Sequence, residues 1–261
     1  MDFGREITGS LAVAESREWL CANGLGGFAS GTVAGLPTRR YHGLLVAALK
    51  PPVGRTVLVT GLHERVEYDG ATYELATARW ADGTVAPEGY RLIERFYLDG
   101  TTPVWHYACA DTLLEKRVWM EPGANTTYVR YRLLRAGAGG AMRITLRALV
   151  NYREFHVTTR GPGWQMAVAP VGQGLQIDAY EGARPLSIQV PGASTEAADD
   201  WYVGFRLAAE AARGLGALDD SLHAGTFTAT LAPDRPEGER MRRRSVVLAP
   251  SREGSIIPTT R

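Results

Sequence analysis

Ala141-Met142-Arg143-Ile144-Thr145-Leu146-Arg147-Ala148-Leu149-Val150-Asn151 alternates along its length. Met142, Ile144, Leu146, Ala148 and Val150 fall on one side, with Arg143, Thr145 and Arg147 opposite. An extended chain points successive side chains to opposite faces, so period two places the apolar set on a core and the arginines in solvent. A strand with one wet face belongs to an antiparallel sheet, because parallel sheets are covered on both faces.

The same pattern recurs outward from this stretch. In residues 128–134, Val129, Tyr131 and Leu133 oppose Arg130 and Arg132. Asp69-Gly70 separates residues 63–68 from 72–78, and Asp99-Gly100 separates 92–98 from 104–110. Asp-Gly supplies the positive φ angles of a tight hairpin. Further turns are expected at Pro122-Gly123, residues 137–140, residues 161–163 and Pro191-Gly192. The best helical segment, residues 206–213 before Gly214, is barely two turns, which argues against βαβ architecture. Residues 191–200, small and acidic, read as a long exposed loop. The fold class is therefore all-β: a single large antiparallel β-sandwich over residues 1–261, supersandwich-like, with under about a tenth of its residues in α-helix.

Composition narrows the function classes. Net charge is +1, so no global field recruits nucleic acid or an acidic membrane. Arg240-Met241-Arg242-Arg243-Arg244 leads into Ser245-Val246-Val247-Leu248 and reads as a strand with an arginine-lined edge, not a nucleic-acid site. No apolar run reaches the ~20 residues of a membrane span, and the first residues lack the order of a signal peptide, so a cytoplasmic location is expected. Cys21 and Cys109 read as buried free thiols. His42, His63, His106, His156 and His223 have no metal-ligand spacing, and neither a metal nor a cofactor is expected.

Two segments near the front stand out. Gly24, Gly26 and Ala29 fit the spacing of a dinucleotide fingerprint, but Gly31-Thr32-Val33-Ala34-Gly35-Leu36-Pro37 cannot start the helix that motif needs. A loop where backbones approach closely remains, serving either the fold or a sugar or partner domain. Next, Thr38-Arg39-Arg40-Tyr41-His42 enters the apolar run Gly43-Leu44-Leu45-Val46. It is either a strand end with solvated charges or the edge of a site. Guanidinium forks bind fixed oxygen patterns, and an aromatic face stacks on the C–H surface of a sugar.

These residues carry a resemblance. The run from Trp19 to Ala48 resembles the opening of bacterial and archaeal glycogen-debranching enzymes of the amylo-α-1,6-glucosidase family. There an N-G-L-G-G loop, an S-G-T-V turn and a T-R-R-Y-H-G-L-L strand follow in this order, here Asn23–Gly27, Ser30–Val33 and Thr38–Leu45. Weaker echoes lie at Arg153-Glu154-Phe155-His156, Trp201-Tyr202, Glu210, Arg213-Gly214 and Gly225-Thr226-Phe227. Cys21-Ala22 stands where a hydroxyl residue is common, and Glu154 where Asp is usual.

The resemblance implies an N-terminal β-sandwich that supports a helical toroid carrying the acid and base carboxylates. It also implies α-glucan (glycogen or limit dextrin) and a C-terminal helical catalytic domain as partners. Since the sequence ends at Arg261, that domain is expected to be separate, leaving an apolar patch that favours self-association. Asn23, Arg39, Arg40, Tyr41, His42, Arg153 and His156 become candidates for substrate binding or a domain interface. No catalytic residue is assigned. Asp199-Asp200 and Asp219-Asp220 are adjacent pairs that read as surface turn residues, and Glu121 and Glu154 as ion-paired structural residues. The other function classes are a free-standing glucan-binding module and a self-contained glucanotransferase or hydrolase.

Overall fold

The computed structural model describes residues 1–137, 140–233 and 244–250. The first strands are β1 (Asp2–Phe3), β2 (Glu18–Ala22), β3 (Phe28–Thr32), β4 (Gly43–Lys50), β5 (Val53–Tyr68), β6 (Ala71–Glu74), β7 (Thr77–Arg79) and β8 (Val85–Glu88). Then come β9 (Ile93–Asp99), β10 (Thr102–Cys109), β11 (Thr112–Met120), β12 (Thr127–Arg135) and β13 (Met142–Glu154). Last are β14 (Ala167–Val171), β15 (Gly174–Asp178), β16 (Leu186–Gln189), β17 (Ser194–Arg206), β18 (Leu218–Leu231) and β19 (Arg244–Pro250). Among the described residues strand makes up 60% and helix 7%, which decides the class against a globular helix average of ~30–35%.

Two large sheets form the sandwich. One has nine strands in the order β1-β9-β10-β11-β12-β19-β16-β15-β14; the other has eight, seven of them in the order β17-β18-β13-β5-β4-β3-β2 and the eighth, β6, paired with β5 beside that path. All their pairings are antiparallel. Strand β19 joins two meanders by pairing with β12 on one side and β16 on the other.

The alternation of β13 is realised: Met142, Ile144, Leu146, Ala148 and Val150 are buried in the main core. Leu149 lies on the opposite face, as the alternation requires, and is buried there as well. Opposite Ala148 and Leu149, β18 carries an extra residue, Ala224, and opposite Leu149 and Val150, β5 carries Thr60. Both extra residues are in the partner strands, so β13 keeps its own period of two. Leu149 joins Ala78 and Phe205 in a second small cluster, with Trp80 and Tyr202 packed beside it.

Hairpins form where Asp-Gly stands. Asp69 and Gly70, at φ 48° and 72°, close the β5–β6 turn between paired Tyr68 and Ala71. In the second, Asp99 is itself paired with Thr102, so Gly100 at φ 62° leads the turn.

Three expectations need correction. Residues 191–200 are mostly strand: β17 starts at Ser194, and its acids are tolerated because residues 194–200 have a single strand partner, β18, and are mostly exposed. The predicted helix shortens to Ala208–Ala212, since Arg206 ends β17, while Gly214 at φ 71° stops it as expected. Nor are Arg130 and Arg132 simply solvated. They and Arg117 lie 3.6, 3.6 and 3.0 Å from the buried Glu115 carboxylate. Burial alone would raise that carboxyl, but His106 and the arginines outweigh it and hold Glu115 down at about 2.

Cys21 and Cys109 are buried free thiols, pushed up to about 12 by burial. Among the described residues no helix is long and apolar enough to cross a membrane. The basic run at residues 240–243 and the segment 251–261 lie outside the described residues.

Candidate functional site

The segment between β3 and β4 is pinned residue by residue. Thr32 Oγ1 donates to Leu36 O at 2.7 Å, Ser30 Oγ to Tyr41 O at 3.1 Å, and the Ala209 N–H to Thr38 O at 3.0 Å. Buried His42 closes the turn, accepting the Thr38 N–H at Nδ1, 3.1 Å away. With Nδ1 an acceptor, the ring proton sits on Nε2, 3.6 Å from Glu18 Oε1. Arg39 Nε donates to the same oxygen at 2.6 Å. The hydrogen bond from His42, then that from Arg39, overcome partial burial and hold Glu18 at about 2.

Arg40 is held from two sides. Its N–H and Nη2 donate to the Glu210 carboxylate at 3.2 and 3.3 Å, and its Nη1 donates to His156 O at 2.6 Å. Glu210, fully buried, comes from the short helix Ala208–Ala212. Arg153 then clamps two loops, donating to Arg40 O at 2.8 Å and to Val157 O at 2.9 Å. Its Nε and Nη2 reach Asp219 Oδ2 at 3.2 and 2.8 Å. Burial pushes Asp219 up and Arg153 down, and their mutual attraction opposes both shifts.

What this scaffold presents is aromatic. Tyr41 OH and His156 Nδ1 are 3.2 Å apart, and the Tyr41 ring meets Phe155 edge-on at 5.4 Å. Phe28 joins Phe155 at 6.4 Å, and the Arg55 guanidinium lies 5.4 Å from the Phe155 centroid. Leu20, exposed, sits opposite Ser30 on the edge strand, and Val157 follows His156. Rings with hydrogen-bonding tips suit a neutral polyhydroxylated ligand or another domain.

Arg40, Tyr41, Arg153 and His156 thus come together, and Arg39 and His42 flank them through Glu18. Asn23 stands at the other end of the β2–β3 hairpin. Its Oδ1 accepts the Leu25 and Gly27 N–H groups at 2.8 and 3.0 Å, while Nδ2 donates to Ala124 O and Asn125 Oδ1. Every polar capacity faces the protein, and the loop has the close-packed geometry its glycines suggest. A Cβ on Gly26 would lie 2.5 Å from Pro52 O.

Both acidic pairs differ from expectation: Asp199 and Asp200 are exposed but lie in β17 and not in a turn. Asp219 and Asp220 are buried in β18, not in a surface turn. Asp220 takes the Gly204 and Gly161 N–H groups, each at 2.8 Å, and Asp219 Oδ1 takes that of Thr159 at 2.7 Å. They bind backbone N–H groups of the segment 159–161 and of β17 where its pairing shifts register, which a reading of isolated turns misses. Glu154 is exposed and accepts the His156 N–H at 2.8 Å.

The family model described as glycogen debranching enzyme N terminal matches residues 17–236. The chain belongs to this family. No curated protein matches the sequence. Among solved structures, a bacterial glucoamylase complexed with acarbose is similar at a TM-score of 0.38 and 10% identity. The match covers 92% of this debranching-enzyme N-terminal domain and 31% of that chain, so the domain spans under a third of the glucoamylase.

Proposed function

We propose that this domain supports a helical catalytic domain and adds α-glucan-binding surface to it, in a cytoplasmic glycogen-debranching enzyme. The family match over residues 17–236 carries the reading. The presented cluster of Tyr41, Phe155 and His156 supports the binding part, since its polar tips and ring faces match the hydroxyls and C–H faces of glucose units. The carboxylates favour a supporting over a self-contained catalytic role: Asp219 and Asp220 are committed to loop backbones, and Glu18 and Glu115 are held near 2.

Calorimetric titration of the purified chain with maltoheptaose tests the binding part. Weak binding that Tyr41→Ala abolishes, with the melting temperature unchanged, is expected. Equal affinity in Tyr41→Ala would remove the surface from the proposal. Pull-down by a separately expressed helical debranching domain tests the supporting part, and no association would overturn it.

A further inference from the structure

Strand β5 has a gap along one edge. Its pairing with β4 ends where Val59 meets Leu45, and its pairing with β6 begins where Arg65 meets Glu74. Between them, residues 60–63 have β13 on one side and no strand on the other. A cavity of about 80 Å³ opens at this gap. It touches Trp105, Tyr107 and Lys116 of the nine-stranded sheet and also Phe205 of the second cluster, so it passes through the eight-stranded sheet. Gly61 lines it, and a Cβ there would meet nothing within 4 Å.

The polar groups on this cavity are incompletely used. Glu64 is 2% exposed, and its Oε1 accepts from Lys116 Nζ and, at 2.8 Å, from Tyr131 OH. Its Oε2 takes no hydrogen bond from a described residue. Tyr107, 3% exposed, donates its hydroxyl to no described residue, and the His63 ring makes edge contacts to Phe205 and Tyr202 but no hydrogen bond with a described residue. A buried polar group left dry is unfavourable, so matter that donates and accepts hydrogen bonds belongs in this space. The volume is several times the 10–15 Å³ that one water needs.

We propose that this Gly61-floored cavity is a binding site for a small neutral polyol, either free or as the hydroxymethyl end of a sugar. Neutrality follows from the walls: Glu64 pairs with Lys116, Asp219 with Arg153, and Glu18 with Arg39, which leaves no net charge to attract an ion. Glu64 Oε2 accepts one hydroxyl, Tyr107 and His63 exchange hydrogen bonds with others, and the rings of Trp19 and Trp105 cover the C–H faces. The site is distinct from the Tyr41–Phe155–His156 surface and needs none of those three rings.

The test uses the full chain with the His63 ring nitrogens observed by ¹⁵N NMR, titrated with glycerol and separately with maltose. A saturable shift at His63 is expected with at least one probe: glycerol alone marks a free polyol, and maltose alone the end of a sugar. Gly61→Val fills open space in a strand that favours β-branched residues, and should weaken binding by about tenfold or more without lowering the melting temperature. Tyr107→Phe, which keeps the volume, should weaken it several-fold. Tyr41→Ala should leave this shift intact, which separates failure of the glucan surface from failure of the cavity site. No saturable shift with either probe, or equal shifts in Gly61→Val, would overturn the proposal in favour of a water-filled channel.

Discussion

Glu210 and Arg40 stand 170 positions apart, yet the Glu210 carboxylate accepts both the backbone N–H of Arg40, at 3.2 Å, and its guanidinium, at 3.3 Å. The side chain sets the backbone and the charge of one residue together, so it fixes where Tyr41, the next residue, is presented. Glu210 is fully buried, and removing it leaves the Arg40 N–H without its acceptor and Nη2 with the Gly216 carbonyl at 3.4 Å. Glu210→Ala should therefore lower the unfolding free energy by about 3–5 kcal/mol in urea titrations. Glu210→Gln should cost less, because an amide oxygen still accepts the Arg40 N–H. A change under about 1 kcal/mol in Glu210→Ala would show that the pair does not hold the loop.

The front loop gives a second, coupled prediction. A Cβ on Gly27 would lie 2.5 Å from Asn125 Oδ1 and 2.6 Å from Asn23 Nδ2, the two atoms of the asparagine clamp. Asn23→Ala should cost about 1–3 kcal/mol through the orphaned N–H groups of Leu25 and Gly27. Gly27→Ala should be destabilising in the native chain but less so in the Asn23→Ala background, since one obstacle is gone. Strict additivity in chemical denaturation would contradict the clamp.

Acid should weaken the fold in two windows. Packing takes the His63 imidazole out of water and lowers it from 6.5 to about 4, with Glu64 opposing. A histidine depressed in the folded state gives stability that is full above 6.5 and is lost as pH falls toward about 4. Glu18 is lowered from 4.5 to about 2, and its contribution is full above 4.5 and lost as pH falls toward about 2. Urea midpoints measured from pH 8 to pH 3 should decline first through the histidine window, and His63→Gln should flatten only that part. An unchanged profile in His63→Gln would contradict the assignment.

The parts of this molecule that were legible in the sequence are those encoded locally. The alternation of β13 names its buried side chains, and the Asp-Gly pairs mark two hairpins. The burial of Leu149 on the opposite face escapes because the residues that cover it, Ala78 and Phe205, come from distant parts of the chain. Residues 194–200 escape because an edge strand with one paired side accepts acids that a central strand would not. At the site, Arg39, Arg40, Tyr41 and His42 attract notice as a polar cluster before an apolar run. Their fixing carboxylates do not: Glu18 is 21 residues from Arg39, Asp219 is 66 from Arg153, and Glu210 is 170 from Arg40. Nothing local in Glu210 distinguishes it from a solvated helix residue.

The last prediction concerns chemistry. Glycoside hydrolysis needs two carboxyl groups facing each other across one bond, ~5–10 Å apart, and the acid must keep its proton near neutral pH. Glu18 and Glu115 sit at about 2 and cannot serve as that acid. Asp219 is pushed up by burial, but Arg153 and the Thr159 N–H occupy its oxygens, which leaves no place for a glycosidic oxygen. Glu154 is exposed and partnered by the His156 N–H, with no opposing carboxyl in contact among the described residues. The proposed binding surface of Tyr41, Phe155 and His156 offers a sugar ring faces and hydrogen bonds but no carboxyl group. Incubated with limit dextrin, the purified chain should therefore release no glucose, whereas a mixture with a separately expressed helical debranching domain should release it. Glucose from the chain alone, lost on Asp219→Asn in a variant that melts like the parent, would place catalysis inside the sandwich and overturn the supporting role.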